Sequence, residues 1–301
     1  MAHAVTSPPA TSPQSMPRET RQARRLRQAA EPSAMTPEPD DVPASPPAVQ
    51  VVPEGADGLI LDANDERVQI FADLKDHTLA IRDGIFITEG PEPIRLLLRN
   101  KMDIEALTVL LKPSTYEALR EDIAACPRRS EIKVYVMHHK IMGSLIGFKK
   151  CRGALASAVV PPHAADTGLD RLLEYLRDRE TWRLLAVDRS TNTANLGSMI
   201  RSASAFGVHA VVISGDCCDP WYRQCVRVSM GHIFNLPIVR VADLGATLSI
   251  LHREHGVQSY AAVIDEDAKL LKRVQRPAPG RWCCVLGSKC RVASACRRLF
   301  D

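Results

Sequence analysis

The chain reads as an α/β protein whose C-terminal part carries a parallel sheet, preceded by a smaller α/β domain and a disordered N-terminal tail. Three observations predict this. From about Leu59 onward, short apolar runs of strand length alternate with stretches of helical periodicity. The runs in the last part are apolar almost throughout, as strands are when helices cover both faces of a sheet. Residues 1–57, in contrast, are dominated by Pro, Ser, Thr and Ala and offer few large apolar groups to a core.

Inside that tail, "RETRQARRLRQAA" (Arg18 to Ala30) is a short Arg-rich segment. It suits an organelle transit peptide or a generic basic tail, although the prolines before Arg18 disfavour an amphipathic helix. The first domain, 58–162, then follows in order. "GIFITEG" (84–90) predicts a strand, "PEPIRLLLRN" (91–100) a helix opened by Pro, and "IEALTVLL" (104–111) a strand. "PSTYEALREDIAAC" (113–126) predicts a second Pro-initiated helix and "IKVYVM" (132–137) another strand. After "HHKIMGSLIGF" comes "GALASAVVPP", an apolar run stopped by two prolines. "PPHAADTG" (161–168) is the linker to a second domain, 168–301, with five strand-like runs. These are "WRLLAVD" (182–188), "HAVVISG" (209–215), "LPIVRV" (236–241), "SYAAVID" (259–265) and "RWCCVLGS" (281–288). Helical patterns separate most of them, and ligands in such sheets bind beyond the carboxyl ends of the strands.

With 301 residues, 45% of them hydrophobic, the chain is long enough for two cores. No apolar run approaches the roughly 20 residues that cross a bilayer, and the first residues lack a signal-peptide core. A soluble intracellular protein without a membrane partner is expected, cytoplasmic or organellar. Nine Cys without a C-x-x-C pair read as reduced, mostly buried thiols rather than a zinc site. The net charge of +4 permits a polyanionic partner without requiring one; residues 1–57 carry −2, 58–163 carry +1 and 164–301 carry +5. No G-x-G-x-x-G follows any strand, which argues against a dinucleotide dehydrogenase.

The most informative stretch is "TNTANLGSMIRSASAFGVHAVVIS" (Thr191 to Ser214), which joins the first strand of the second domain to its first helix. Asn195 suits a helix N-cap, and Leu196, Met199, Ile200, Ala203 and Phe206 make one stripe facing the sheet. Arg201 lies off that stripe. Six residues of helix span about 9 Å, and helical side chains lean toward the N-terminus, so the long Arg201 side chain reaches back toward the strand tips. Gly197 removes a Cβ where another backbone or an anionic group is to come close. From spacing alone, an N-cap, a packing glycine and a solvated arginine are the favoured reading of the pattern.

The surroundings resemble the SpoU (TrmH-like) RNA ribose 2'-O-methyltransferases of the SPOUT superfamily. "STNTANLGSMIRSASAFGVHAVVIS" is similar to that family's first signature motif, "VRVSMGHIFNLPIVRV" (226–241) to its next block, and "VLGS" (285–288) to the start of its second motif. "FITEGPEPIRLLLRN" and "GALASAVVPP" resemble the ribosomal-protein-like RNA substrate-binding domain that precedes the catalytic domain in many members. The resemblance implies an α/β knot, a homodimer, and methyl transfer from S-adenosyl-L-methionine to a ribose 2'-hydroxyl of tRNA or rRNA. It places Asn195 and Arg201 at the catalytic positions and Leu286, Gly287 and Ser288 at the cofactor, with no metal. Arg227, Ser229 and Gly231 fall in a block near the RNA-facing cleft.

The chain departs from that pattern in two places. Motif two continues as "GSKCRV", so Lys289 reverses an expected charge and Cys290 replaces a flexible glycine. The third motif, an apolar strand with a Ser-Leu-Asn turn, does not follow "ACRRLFD". The resemblance therefore implies a clipped active enzyme, with an incomplete knot, or a degenerate homologue that binds RNA or dimerises without catalysis. The abrupt end inside a helical pattern favours clipping, and weak cofactor binding by these 301 residues is expected. Two lesser candidates remain. His138, His139, Lys140, Lys149, Lys150 and Arg152 suit RNA phosphates or a solvated face. Asp265, Glu266 and Asp267 close a strand in an acidic turn that admits a metal, although such a turn is more often only a turn.

Overall fold

Two five-stranded sheets make up the computed structural model, which describes residues 52–72, 74, 84–100, 104–147, 152–161, 168–263, 269, 273 and 280–287. The first sheet contains β1 (Gly58–Ile60), β2 (Ile85–Glu89), β3 (Ala106–Leu111), β4 (Lys133–Met137) and β5 (Ala154–Val159), in the order β1-β4-β3-β5-β2. It is mixed: β4 pairs parallel with β1 and β3, whereas β5 runs antiparallel to β3 and β2. Its helices are α1 (Pro91–Leu98), α2 (Pro113–Ala124) and α3 (His139–Ile146). Both α1 and α2 carry Pro in their first turn, where no intrahelical partner is lost. His138 caps α3, its ring accepting from the Lys140 N–H. The sequence reading had no strand at β1, whose three residues are too few for a periodic signal.

The second sheet is parallel throughout, in the order β8-β7-β6-β10-β9. Its strands are β6 (Trp182–Asp188), β7 (Ala210–Ser214), β8 (Ile238–Val241), β9 (Gln258–Ala261) and β10 (Arg281–Gly287). The helices are α4 (Gly168–Leu176), α5 (Thr193–Ala205), α6 (Arg223–Val228) and α7 (Leu244–His255). The two-residue period of β6 sorts its side chains cleanly. Leu184 and Ala186 enter one buried cluster with Leu172 of α4 and Leu248 of α7. Leu185 and Val187 enter another with Leu196, Ile200 and Ala203 of α5. Both faces are covered, which is why the strand carries no polar residue between Arg183 and Asp188.

The α5 cluster does not stop at the second sheet. It runs on through Trp221, Ile233 and Phe234 into Phe86, Ile94 and Val109 of the first. Phe86 of β2 lies 4.9 Å from the Trp221 ring and 5.5 Å from the Phe234 ring, centroid to centroid, at offsets suited to aromatic contact. The two sheets therefore share one core.

The first helix of the second sheet corrects two sequence expectations. Its N-cap is Asn192, whose side chain accepts from the Asn195 N–H at 2.9 Å, so Asn195 is the third residue inside the helix rather than the cap. The Asn192 side chain reaches the donor first because the chain is already helical at Thr193. Phe206 is the second correction: it caps the other end and is 80% exposed, not on the sheet-facing stripe. The chain leaves the helix there for the left-handed Gly207, which turns residue 206 outward.

Candidate active site at the carboxyl end of the parallel sheet

The β6 tip is built around a buried acid. Asp188 ends β6 with 4% exposure, and its Oδ2 has no hydrogen-bond partner among the described residues. It stands in register with Gly287, the last residue of β10. The next residue, Arg189, holds a left-handed backbone (φ 50°) that side-chain-bearing residues rarely adopt, and its N–H donates to the Ser214 hydroxyl at 2.9 Å. Its Nε lies 3.8 Å from Asp188 Oδ1 and 3.7 Å from Asp216 Oδ2. The turn beside it is tied down by Arg240, whose guanidinium donates to the carbonyls of Ser214, Gly215, Cys217 and Cys218. Cys217 adds a thiol contact to the Val187 carbonyl at 3.3 Å. Asp188 escaped the sequence reading; the signal for it was an acid closing an otherwise apolar run.

From this tip the chain enters α5. Asn195 is exposed in its first turn, relieved of the capping role by Asn192. Gly197 is buried where a Cβ would stand 2.6 Å from the Cys225 carbonyl oxygen and 3.2 Å from the Ser229 nitrogen. Its function is thus the close approach of α6. Arg201, one turn further, is exposed and belongs to no ion pair among the described residues.

The "SMGH" turn lies against the same helix. Ser204 Oγ and His232 Nδ1 are 3.0 Å apart. Burial, and then the Arg201 charge, push the His232 pKa below its ordinary value of 6.5. Met230 and Gly231 are both left-handed, at φ 55° and 80°. A Cβ on Gly231 would meet Pro93 Cα at 2.8 Å, so this turn abuts the first turn of α1. Of the three residues expected at an RNA-facing cleft, Arg227 is exposed. Ser229 is not available to RNA in this structure: it is fully buried, and its hydroxyl donates to the Val226 carbonyl at 2.7 Å. Gly231 likewise serves the join to α1, being buried against Pro93. That correction has one physical reason, since the first sheet covers this side of α6.

Of the cofactor positions, Leu286 and Gly287 close β10 beside Asp188, whereas Ser288, Lys289 and Cys290 lie outside the described residues. So do Lys149, Lys150, Asp265, Glu266, Asp267 and the Arg-rich segment 18–30. The six cysteines among the described residues are all free thiols, four of them buried. Burial pushes the Cys225 thiol well above the usual range, leaving it an inert core residue.

Two half-buried histidines carry a pH dependence with a definite sign. Burial lowers the His209 pKa, assisted by Arg183 and Arg179, and lowers that of His232 as described. Folding therefore excludes a proton that the unfolded chain takes up as the pH falls through the ordinary value of 6.5. Their contribution is complete above that value and is lost below it. The urea midpoint should fall between about pH 7.5 and 5.5, and a His209→Gln/His232→Gln double variant should show a flatter dependence over that interval.

Both the fold and the sequence resemble those of known proteins. The fold is that of a SpoU methyltransferase from Streptomyces viridochromogenes, solved in complex with AdoMet. The likeness has a TM-score of 0.61 at 22% identity and covers 78% of this chain and 86% of that one. In sequence, the model of the SpoU rRNA Methylase family matches residues 183–289, from β6 to just past β10. An uncharacterized tRNA/rRNA methyltransferase of Mycobacterium tuberculosis is 30% identical over 220 residues, 69% of each chain. A 23S rRNA (uridine(2479)-2'-O)-methyltransferase of Streptomyces viridochromogenes is 38% identical over 76 residues, 25% of this chain and 26% of that protein. The chain belongs to the SpoU rRNA methylase family. Among the described residues, no helix is long and apolar enough to cross a membrane.

Proposed function

We propose that this protein transfers a methyl group from S-adenosylmethionine to a ribose 2'-hydroxyl of tRNA or rRNA, working as a homodimer. The observation that carries the reading is a single helix, α5, that bears Asn195 and Arg201, both exposed, and follows the β6 tip, where Asp188 stands in register with the glycine that ends β10. Membership of the family supports it, as does the likeness to a 23S rRNA 2'-O-methyltransferase.

The residues at the strand tips suit that cofactor. Gly287 leaves room for a ligand to approach the backbone, and the buried, unpartnered oxygen of Asp188 is an acceptor beside it, suited to a cationic ligand that carries donors. Leu286 and Gly287 would hold the cofactor, together with Ser288. When bound, it supplies a methyl group on a positively charged sulfur, already a good electrophile.

The protein's part is then to bring a weakly acidic hydroxyl into line and favour its ionised form. In such a transfer the ribose 2'-oxygen would take the methyl group as the carbon–sulfur bond breaks with its electron pair left on sulfur, and the hydroxyl proton would pass to solvent. Arg201 does not take that proton, since a guanidinium stays protonated in proteins. It clamps an RNA phosphate and stabilises the negative charge that grows on the 2'-oxygen. Asn195, six residues earlier, orients the ribose or Arg201 itself.

The test is transfer of labelled methyl from S-adenosylmethionine to total tRNA and rRNA, followed by alkaline hydrolysis. Label retained in alkali-resistant dinucleotides is the expected result, because a 2'-O-methyl group blocks cleavage at that nucleotide. Label on bases alone would overturn the reading. One sequence feature favours a second reading: motif two continues with Lys289, which reverses the charge expected there for a cationic cofactor, as in a noncatalytic RNA-binding relative. RNA retention without any transfer would establish that alternative.

A further inference from the structure

The end of the first sheet that faces the "SMGH" turn carries a row of cations. The register places the carboxyl ends of β1, β4, β3 and β2 and the amino end of β5 together: Ile60 opposite Met137, Leu111 opposite Val136 and Ala154, and Glu89 opposite Leu155. The residues that step off these ends are His138 with Lys140 after β4, Lys112 after β3, Arg152 before β5 and Gly90 after β2. They are tied side by side. The Lys112 N–H donates to the Gly153 carbonyl and the Gly90 N–H to the Ala154 carbonyl, each at 2.9 Å. The stem of Lys112 lies over Gly153, and that of Arg152 lies 3.6 Å from where a Cβ on Gly90 would be.

Gly90 opens α1, and Pro93 in its first turn meets Gly231, whose neighbour His232 feels the Arg201 charge. A path of direct contacts thus leads from Lys112 and Arg152 to His232, whose Nδ1 lies 3.0 Å from Ser204 Oγ on α5, the helix that carries Arg201. Of the acids nearby, Glu92 pairs with Arg95, Asp65 pairs with Arg67 and Glu89 is buried, while the exposed Asp62 follows β1, at the edge of the sheet opposite β2. Neither Lys112 nor Arg152 belongs to an ion pair among the described residues. Lys112 is half-buried at its stem and Arg152 exposed, the arrangement of side chains that present a charged head to a polyanion.

We propose that Lys112 and Arg152 form, with Arg201 of the same chain, one phosphate-binding track that leads the substrate RNA from the end of the first sheet to the methyl-transfer site. The proposal rests on the RNA reading given above and adds the route that the RNA takes. Lys112 and Arg152 act as positioning residues; they contact phosphates and not the reacting atoms.

The test is binding of a labelled mixed-sequence RNA oligonucleotide to the full chain, followed by fluorescence anisotropy across a salt series. The double variant Lys112→Gln/Arg152→Gln keeps both stems and removes both charges. Its log–log salt slope should be shallower by about 1.4, roughly 0.7 for each lost phosphate contact with a single strand. Lys133→Gln, at the opposite end of β4, should leave the slope unchanged. In methyl transfer the double variant should raise KM while kcat holds, which a merely structural role would not produce. An unchanged slope in the double variant, or an equal loss in Lys133→Gln, would overturn the track while leaving RNA methylation standing. Absence of salt-dependent RNA binding by the unaltered chain would instead bring down the RNA reading itself.

Discussion

Replacing Arg201 by alanine is expected to slow methyl transfer about a hundred- to a thousandfold, the loss of roughly 3 kcal/mol that follows removal of one preorganised donor from a developing oxyanion. The fold should not notice. Arg201 is exposed and sits on the face of α5 away from Leu196, Ile200 and Ala203, which enter the core. Its urea midpoint should therefore stay within the range of ordinary surface substitutions, about 0.5 kcal/mol. Arg201→Lys should recover only part of the rate, because an ammonium keeps the charge but loses the two-pronged donor geometry. The variant also carries an internal readout. Arg201 is one of the two causes that depress the His232 pKa, so in Arg201→Ala the His232 titration followed by NMR should move back toward 6.5. A near-normal rate in Arg201→Ala would remove the arginine from the mechanism.

The second large effect is on stability. Phe234 is fully buried, with its ring 5.5 Å from Phe86 of the first sheet and 6.5 Å from Trp221 of the second segment. Phe234→Ala should cost about 3–5 kcal/mol, the usual range for a buried aromatic truncated in a core. Measured against the total of about 5–15 kcal/mol that holds a typical protein folded, the loss is severe. Trp221 fluorescence reports the change directly, since its indole lies in the same aromatic group. Because one cluster joins both sheets, urea unfolding of the unaltered chain should be a single transition for both. A cost below about 1 kcal/mol in Phe234→Ala, or two separate transitions in the parent, would show that the sheets are held independently.

Much of this architecture was legible in the residues. The strand 182–188 was expected between the residues that bound β6, because seven apolar or alternating positions between a Thr and a turn admit little else. The helices at 91 and 113 were announced by their prolines. Short-range order made legible only that a strand end and a polar turn lead into one helix that carries both Asn195 and Arg201. The cap was misplaced by three residues for a reason of the same kind. Asn192 and Asn195 are both good caps, and nothing local distinguishes them until the helix has a first turn.

The roles of Ser229, Gly231 and Asp188 were of another sort. Pattern and composition set which segments are strands and helices, since those follow from the spacing of apolar groups along a few turns of chain. They also set the chemistry available, an amide and a guanidinium on one helix. The destination of a given polar or small residue follows from what arrives next to it from far along the chain. Gly231 meets Pro93 and so becomes a point of close contact with α1, Ser229 is fully buried with its backbone close to Gly197 of α5, and Asp188 meets Gly287 only because β10 pairs with β6. Such contacts between distant segments leave no period in the sequence, so they are visible only once the two sheets share a core.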